Sequence, residues 1–295
     1  MTEQELFSVV GIREPERTGL PFKKQRSDFP WVSASILILL SLCCLLAEAL
    51  MTKDPTYLDL LNCNVSPNRE FLFGTDSLGR DLFSGIWYGG RISLCIGFLS
   101  TLISTAFAIL YGTISGLAPK KVDTWMMRFA EILLSVPELL LVLFLQAILG
   151  EANVLTLSIV IGLTSWPGIA KLVRTQVQQL RGCEYVIAAK CMGGSFLHIL
   201  FRHLAPNFIA EIMFMVVMNV RSAIASESTL SFLGMGLPVE IISWGSMLSL
   251  AQNALLQRSW WVILIPGAFL IVLLMTLTSL GNYLRKNANR KESNL

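Results

Sequence analysis

The sequence predicts an all-α integral membrane protein of six transmembrane helices with both termini cytoplasmic, on three observations. Hydrophobic residues make up 54% of the 295 and charged residues only 15%, with a mean hydropathy of +0.62. A soluble domain carries about 25% charged residues to coat its surface, so a soluble globule is excluded, and disorder with it. Apolar runs recur at close to the roughly 20 residues that a hydrocarbon core of about 30 Å requires. Lys and Arg divide unevenly between alternate loops. Of 23, 17 fall in segments 1–30, 118–128, 171–203 and 282–295, 5 fall in 52–91, 150–153 and 233–258, and Arg221 lies inside a span. The positive-inside rule assigns the richer set to the cytoplasm.

The elements follow in order. Residues 1–30 form a polar N-terminal segment, too long and too polar before the first apolar run to be a cleavable signal peptide. The transmembrane domain covers 31–284 and the C-terminal tail 285–295. Charge-free runs at Phe29–Ala47, Ile92–Pro119, Ala152–Ala170 and Ser259–Leu284 are four spans. Trp125–Gly150 carries Arg128, Glu131 and Glu138, and Pro206–Leu233 carries Glu211, Arg221 and Glu227. Without these two spans, about 50 mostly apolar residues would have no place to be buried. Trp31, Trp87, Trp125, Trp260 and Trp261 fall near span ends, as interfacial aromatics do. Gly112 and Gly116 form a GxxxG, which supports close helix packing and nothing more specific.

Three loops exceed what a helix hairpin needs: 52–90 and 233–258 outside, 171–205 inside. The outer loop 233–258 holds an amphipathic stretch that could re-enter the membrane or lie along its surface. In the inner loop, Tyr185, Ala188, Ala189 and Met192 recur at helical spacing. Gly193 and Gly194 end that helix, because glycine accepts the left-handed backbone of a helix C-terminus. Ser195 is positioned to cap a second short helix, Phe196–His203, and Pro206 opens the next span. This hairpin, rimmed by Lys190, His198, Arg202 and His203, can lie on the membrane or dock into a groove of another protein.

Chemistry-bearing motifs are sparse. The six Cys lie mostly in spans or on the inner side, with Cys63 alone outside, so they form no disulfide framework. No metal-ligand spacing occurs, and His198 and His203, five apart, are poorly placed to share a metal. Gly74–Arg80 (GTDSLGR) is the nearest approach to a phosphate-binding loop. It has Arg where the Lys belongs and lies on the outer side, so Gly79 and Gly85 are read as turns beside a short interfacial helix containing Trp87 and Tyr88.

The segment YVIAAKCMGGSFLHILFRHLAPN resembles the EAA loop of ABC importer permeases at Ala188, Ala189, Gly193, Pro206 and Asn207, with Ile187 where the motif has Glu. FGTDSLGRDLFSGIWYGGRISLCIG resembles the signature of the C-type permease subunit of dipeptide, oligopeptide and nickel importers. VDTWMMRFAEILLSVPELLL, ESTLSFLGMGLP, SWGSML and WWVILIPG resemble further blocks of that family, so the likeness runs from about Phe71 to Arg285. It implies an ABC type I importer permease fold with cytoplasmic coupling helices, in a bacterial or archaeal inner membrane. It also implies four kinds of partner: a homologous second permease, two ATPase subunits, an extracytoplasmic solute-binding protein and the lipid bilayer, with no nucleic acid. ATP and Mg would be bound by the ATPases, leaving this chain without cofactor, metal or catalytic residue. Peptides are the implied cargo, with nickel or a metal-chelate as the alternative. The coupling residues would be Tyr185, Ala188, Ala189, Gly193, Ser195, Arg202 and Pro206.

The charges inside spans admit two readings each. Glu131 and Glu138 are seven apart, hence on nearly one helix face, with Pro137 bending the helix between them. They line a polar pathway or pair structurally with Arg128 or a neighbouring subunit. Arg221 and Glu227 project about 120° apart and need separate partners or water. Each serves a translocation path or gate, or packs against the partner permease. Two other classes compete. A secondary transporter would be supported by inverted repeats with broken spans, and no repeat is evident. A membrane enzyme would need a nucleophile–base cluster or a metal box, and none is evident.

Overall fold

The computed structural model describes residues 29–250, 254 and 258–292. Most of the expected N-terminal segment, the last three residues of the tail and part of the outer amphipathic stretch therefore lie outside the described residues. Among the described residues the chain is helical, with a single isolated bridge between Thr75 and Asp81 in place of any sheet. The helices are α1 (Trp31–Leu45), α2 (Ala47–Leu50), α3 (Leu82–Leu117), α4 (Lys120–Ser135), α5 (Glu138–Leu149) and α6 (Val154–Leu180). They continue with α7 (Glu184–Cys191), α8 (Phe196–Ile199), a π turn (Leu200–Leu204), α9 (Ala205–Phe232), α10 (Trp244–Ser249) and α11 (Trp261–Glu292). Three of them, α3, α6 and α11, are long and apolar enough to cross a membrane, and the bent pair α4–α5 makes a fourth candidate. At 15 residues α1 falls short of a span by itself, and α9 has the length at 28 residues but carries Glu211, Arg221 and Glu227.

Helices α3 and α6 form the central pair, brought close by small residues. A β-carbon on Gly112 would stand 2.6 Å from the Ala170 carbonyl oxygen, and one on Gly116 2.7 Å from Val177 Cγ1. From the other side, a β-carbon on Gly162 of α6 would meet Ile103 at 2.9 Å. The GxxxG therefore lets two backbones approach, as small-residue interfaces in membranes do. Trp166, Val173, Val177, Leu200 and Phe208 fill one core at the hairpin end, and Ile86, Ile224, Trp244 and Val262 fill another at the opposite end. Ile38, Phe144 and Met275 point outward, the faces a hydrocarbon solvent would cover.

The structure corrects several expected boundaries. The first of the loops expected outside does not run to residue 90. Helix α3 begins at Leu82, where the Asp81 carboxylate accepts the Ser84 N–H at 2.9 Å and caps it, the usual role of Asp at this position. Gly85 therefore makes no turn, and Trp87 and Tyr88 belong to the first turns of a 36-residue helix. Gly85, Gly89 and Gly90 instead admit Met247, Ser243 and Trp244 of the second outer loop. The inner loop likewise starts later, because α6 continues to Leu180. Its polar last turns are held by Asp123 of α4, which is paired with Arg174 and accepts bonds from Ser115 Oγ (2.6 Å) and Gln178 Nε2 (3.1 Å).

The third apolar stretch is broken, not gently bent. Helices α4 and α5 meet at 93°. Val136 precedes Pro137 and is extended (φ −90°, ψ 132°), because a following proline disfavours the helical conformation. Glu131 and Glu138 thus lie on different helices and share no face. Glu131 pairs with Lys171 at 3.4 Å, not with Arg128, which is exposed. Trp261 is also not interfacial. It is buried and donates its indole N–H to the Thr75 carbonyl at 3.1 Å, pinning the start of α11 to the first outer loop.

Candidate functional site

The α7–α8 hairpin is built as its local sequence dictates. Helix α7 ends in a Schellman arrangement: Gly193 has φ +81°, and the Gly194 N–H reaches back to the Ala189 carbonyl at 3.0 Å. The Ser195 hydroxyl accepts the His198 N–H at 3.3 Å, capping α8. The expected second helix to His203 is instead a short α8 that passes through the π turn into α9 without a break, so Pro206 sits in the first turn of α9. Val186 and Ala189 are buried against Ile199, Leu200 and Leu204. The remainder of the predicted stripe faces away from the chain. Tyr185 and Ala188 are exposed, Met192 is 83% exposed, and Ile187, at the position where the EAA motif has Glu, is half exposed. Arg202 is exposed beside them.

Glu227 lies at the other end of α9. It is fully buried and receives four serine hydroxyls. Ser243 (2.7 Å) and Ser231 (3.0 Å) donate to Oε1, and Ser93 and Ser228 (both 3.3 Å) donate to Oε2. Two of these hydroxyls also hold the segment that carries α10. Ser93 Oγ accepts the Trp244 N–H at 3.2 Å, and Ser243 Oγ accepts the Ser246 N–H at 3.0 Å. Helix α10 therefore tucks back into the bundle, with Trp244 fully buried and its indole N–H on the Ile86 carbonyl at 2.8 Å. Gly245 is required there, since a β-carbon would lie 2.8 Å from Glu227 Oε1. A buried carboxylate is tolerated only when its oxygens are satisfied, and this one is. Glu227 stands out in the sequence as a charge in an apolar run, whereas its four serines do not. The Ser243/Ser246 capping box was the legible signal.

Glu138 and Arg221 line separate cavities. Glu138 opens onto about 440 Å³ bounded by Ser135, Pro137, Thr164, Ser165 and Asn219, and its Oε1 is buried with no hydrogen-bond partner among the described residues. Arg221 borders a different cavity of about 620 Å³, between α9 and α11. Asn219 and Arg221 project about 200° apart around α9 at 100° per residue, so the two cavities flank that helix on opposite sides.

The Gly74–Arg80 loop has its own use for its backbone. Asp76 Oδ1 accepts the N–H groups of Leu78 (2.8 Å) and Arg80 (2.9 Å), occupying donors that a phosphate would need. Burial of Asp76 raises its carboxyl above the usual range, against the lowering effect of these bonds. Gly74 and Gly79 both have positive φ, and Arg80 Nη1 donates to the Val239 carbonyl at 2.8 Å, tying the first outer loop to the second.

A bundle of long apolar helices, with a short helical hairpin continuous with α9 at one end and a polar cluster holding α10 at the other, defines a polytopic membrane protein. The chain belongs to the binding-protein-dependent transport system inner membrane components, whose family model matches residues 108–291. It is 35% identical to the oligopeptide transport system permease protein OppC of Bacillus subtilis over 86% of this chain and 83% of that protein. It is 34% identical to the dipeptide transport system permease protein DppC of the same organism over 85% and 78%. Identity to the di/tripeptide permease protein DppC of Pseudomonas aeruginosa is 33% over 88% and 86%. The chain is thus a membrane permease subunit, and the resemblance read from its motifs holds over most of its length.

Proposed function

We propose that this chain forms half of the translocation pathway of a peptide importer in a bacterial inner membrane, and that ATPase subunits drive it through the α7–α8 hairpin. The peptide cargo follows the relatives, which are named for dipeptide, tripeptide and oligopeptide transport. The observation that carries the coupling role is mechanical. An exposed apolar face at Tyr185, Ile187 and Met192 sits on a hairpin whose second helix is continuous with α9. A subunit gripping that face moves a rod of roughly 50 Å at 1.5 Å per residue, whose far end carries Glu227 and, through its serines, α10. Closure of two ATPases binding ATP and Mg would thus shift the re-entrant segment. A second permease would complete the pathway, and a solute-binding protein would deliver cargo on the outer side. In this reading Glu138 and its cavity form part of the route, and Glu227 anchors the gate.

Six spans with both termini cytoplasmic complete the proposal. Helices α1 and α2 together reach the length of a span, and on α9 Glu227 is buried against its serines while Arg221 borders a cavity. Reconstitution with the second permease, both ATPases and the receptor in proteoliposomes is the direct test, with receptor-dependent peptide uptake expected only with ATP. Uptake driven by an ion gradient without ATPases would replace this reading with a secondary transporter. For orientation, a membrane-impermeant thiol reagent is expected to label half-buried Cys63 from outside intact cells. Exposed Cys191 should react only after permeabilisation. Labelling of Cys191 from outside would reverse the topology.

A further inference from the structure

The cavity of about 620 Å³ beside Arg221 is bipartite. Its polar end gathers Arg221, Lys286, Asn282, Tyr283 and Thr278, and its other end is the apolar wall of Ile271, Leu274 and Met275 on α11. Among the described residues no Asp or Glu lines it. Among the described residues neither cation is in an ion pair, and Arg221 Nε is buried with no hydrogen-bond partner. Arg221 is half-buried, and a cation in a membrane-spanning stretch calls for a counter-ion, so among the described residues the two charges of the site are uncompensated. The start of α1 closes its rim, where Phe29 packs edge-on against Tyr283 at 5.2 Å. The apolar wall opens sideways, with Ile271 57% and Met275 66% exposed.

We propose that this cavity holds an anionic phospholipid. Its phosphate would lie between Arg221 and Lys286, with hydrogen bonds from Asn282 and Tyr283, and its acyl chain would run along Ile271, Leu274 and Met275. A free anion would satisfy the charges but leave the apolar wall without a partner, and a zwitterionic lipid would bring a third cation toward the two already present. Basic pockets between transmembrane helices are a known way of holding such headgroups. The site lies on the side of α9 away from the Glu138 cavity, so the lipid would bear on the same helix that joins the hairpin to Glu227.

The test uses the assembled complex, delipidated in mild detergent and titrated with phosphatidylglycerol, phosphatidylcholine or inorganic phosphate, with bound lipid read by native mass spectrometry and stability by thermal unfolding. Phosphatidylglycerol is expected to bind and to raise the unfolding temperature. Arg221→Gln and Lys286→Gln should each weaken binding about fivefold, the loss of one charge contact. Lys286 lies near the end of α11, so its variant assembles even if Arg221→Gln does not. Equal protection by phosphatidylcholine or by inorganic phosphate would overturn the proposal, as would undiminished lipid binding by Lys286→Gln. Disulfide cross-linking of Met275→Cys to the second permease would also overturn it, because protein would then cover the wall.

Discussion

Gly193→Val is expected to abolish most ATP-driven uptake while the chain still inserts and assembles. The residue occupies the left-handed region at φ +81°, where a side chain costs about 1–2 kcal/mol and a β-branched one more. No atom lies within 4 Å of a β-carbon placed there, so the penalty comes from the backbone and not from a clash. That strain is enough to move the hairpin's conformational balance by roughly five- to thirtyfold. The turn would relax, swinging Tyr185, Ile187 and Met192 away from the axis set by α9. Gly193→Asn is the internal control, because Asn tolerates the left-handed conformation and the site has room for it. Receptor-stimulated ATP hydrolysis should stay near wild type in the Asn variant and fall in the Val variant. Full transport by Gly193→Val would remove the hairpin from the coupling mechanism.

The second large effect is expected at Glu227. Glu227→Leu would leave four serine hydroxyls without their acceptor in a site sealed from water, at a cost of at least about 3 kcal/mol, and the complex should unfold at lower temperature or fail to assemble. Glu227→Gln is the more informative change. Its amide accepts on one oxygen only and presents two N–H groups where the carboxylate accepted bonds on both. At least one of Ser93 and Ser228, or of Ser231 and Ser243, must then turn its hydroxyl round. Because Ser93 and Ser243 also hold the backbone of α10, the expected result is a loosened re-entrant segment. Assembly should be preserved, destabilisation modest at about 1–3 kcal/mol, and ATP hydrolysis partly uncoupled from uptake. A complex that is destabilised but transports in proportion to the amount assembled would make Glu227 a purely structural anchor. Wild-type stability together with wild-type uptake would deny it either role.

The sequence by itself determined the features written in neighbouring residues. A shortage of charge and runs of about 20 apolar residues identify a membrane protein. Gly193-Gly194-Ser195 defines the hairpin turn, since backbone freedom at the glycines and a capping hydroxyl act within a few positions. The order of motif blocks identified the family. What was misread depended on contacts across long separations. Gly85 resembles a turn residue until Met247 of α10 is seen packed on it. The polar end of α6 resembles a loop until Asp123 is found holding Arg174. The break at Val136-Pro137 was marked by the proline, but its size of 93° was not, because packing on either side sets the angle.

Glu227 is the clearest case of what only the tertiary structure decided. Its place in an apolar run required a partner, and no periodicity could name one. Ser93 lies 134 positions away and Ser243 lies 16 away on a separate element. Hydropathy and helical spacing describe what a residue does to its own helix, whereas satisfaction of a buried carboxylate is a property of the folded neighbourhood. The same reason separates Arg221 from Glu138. Both read as charges in spans, and only the packing of α9 between α6 and α11 places them in cavities on opposite sides of one helix.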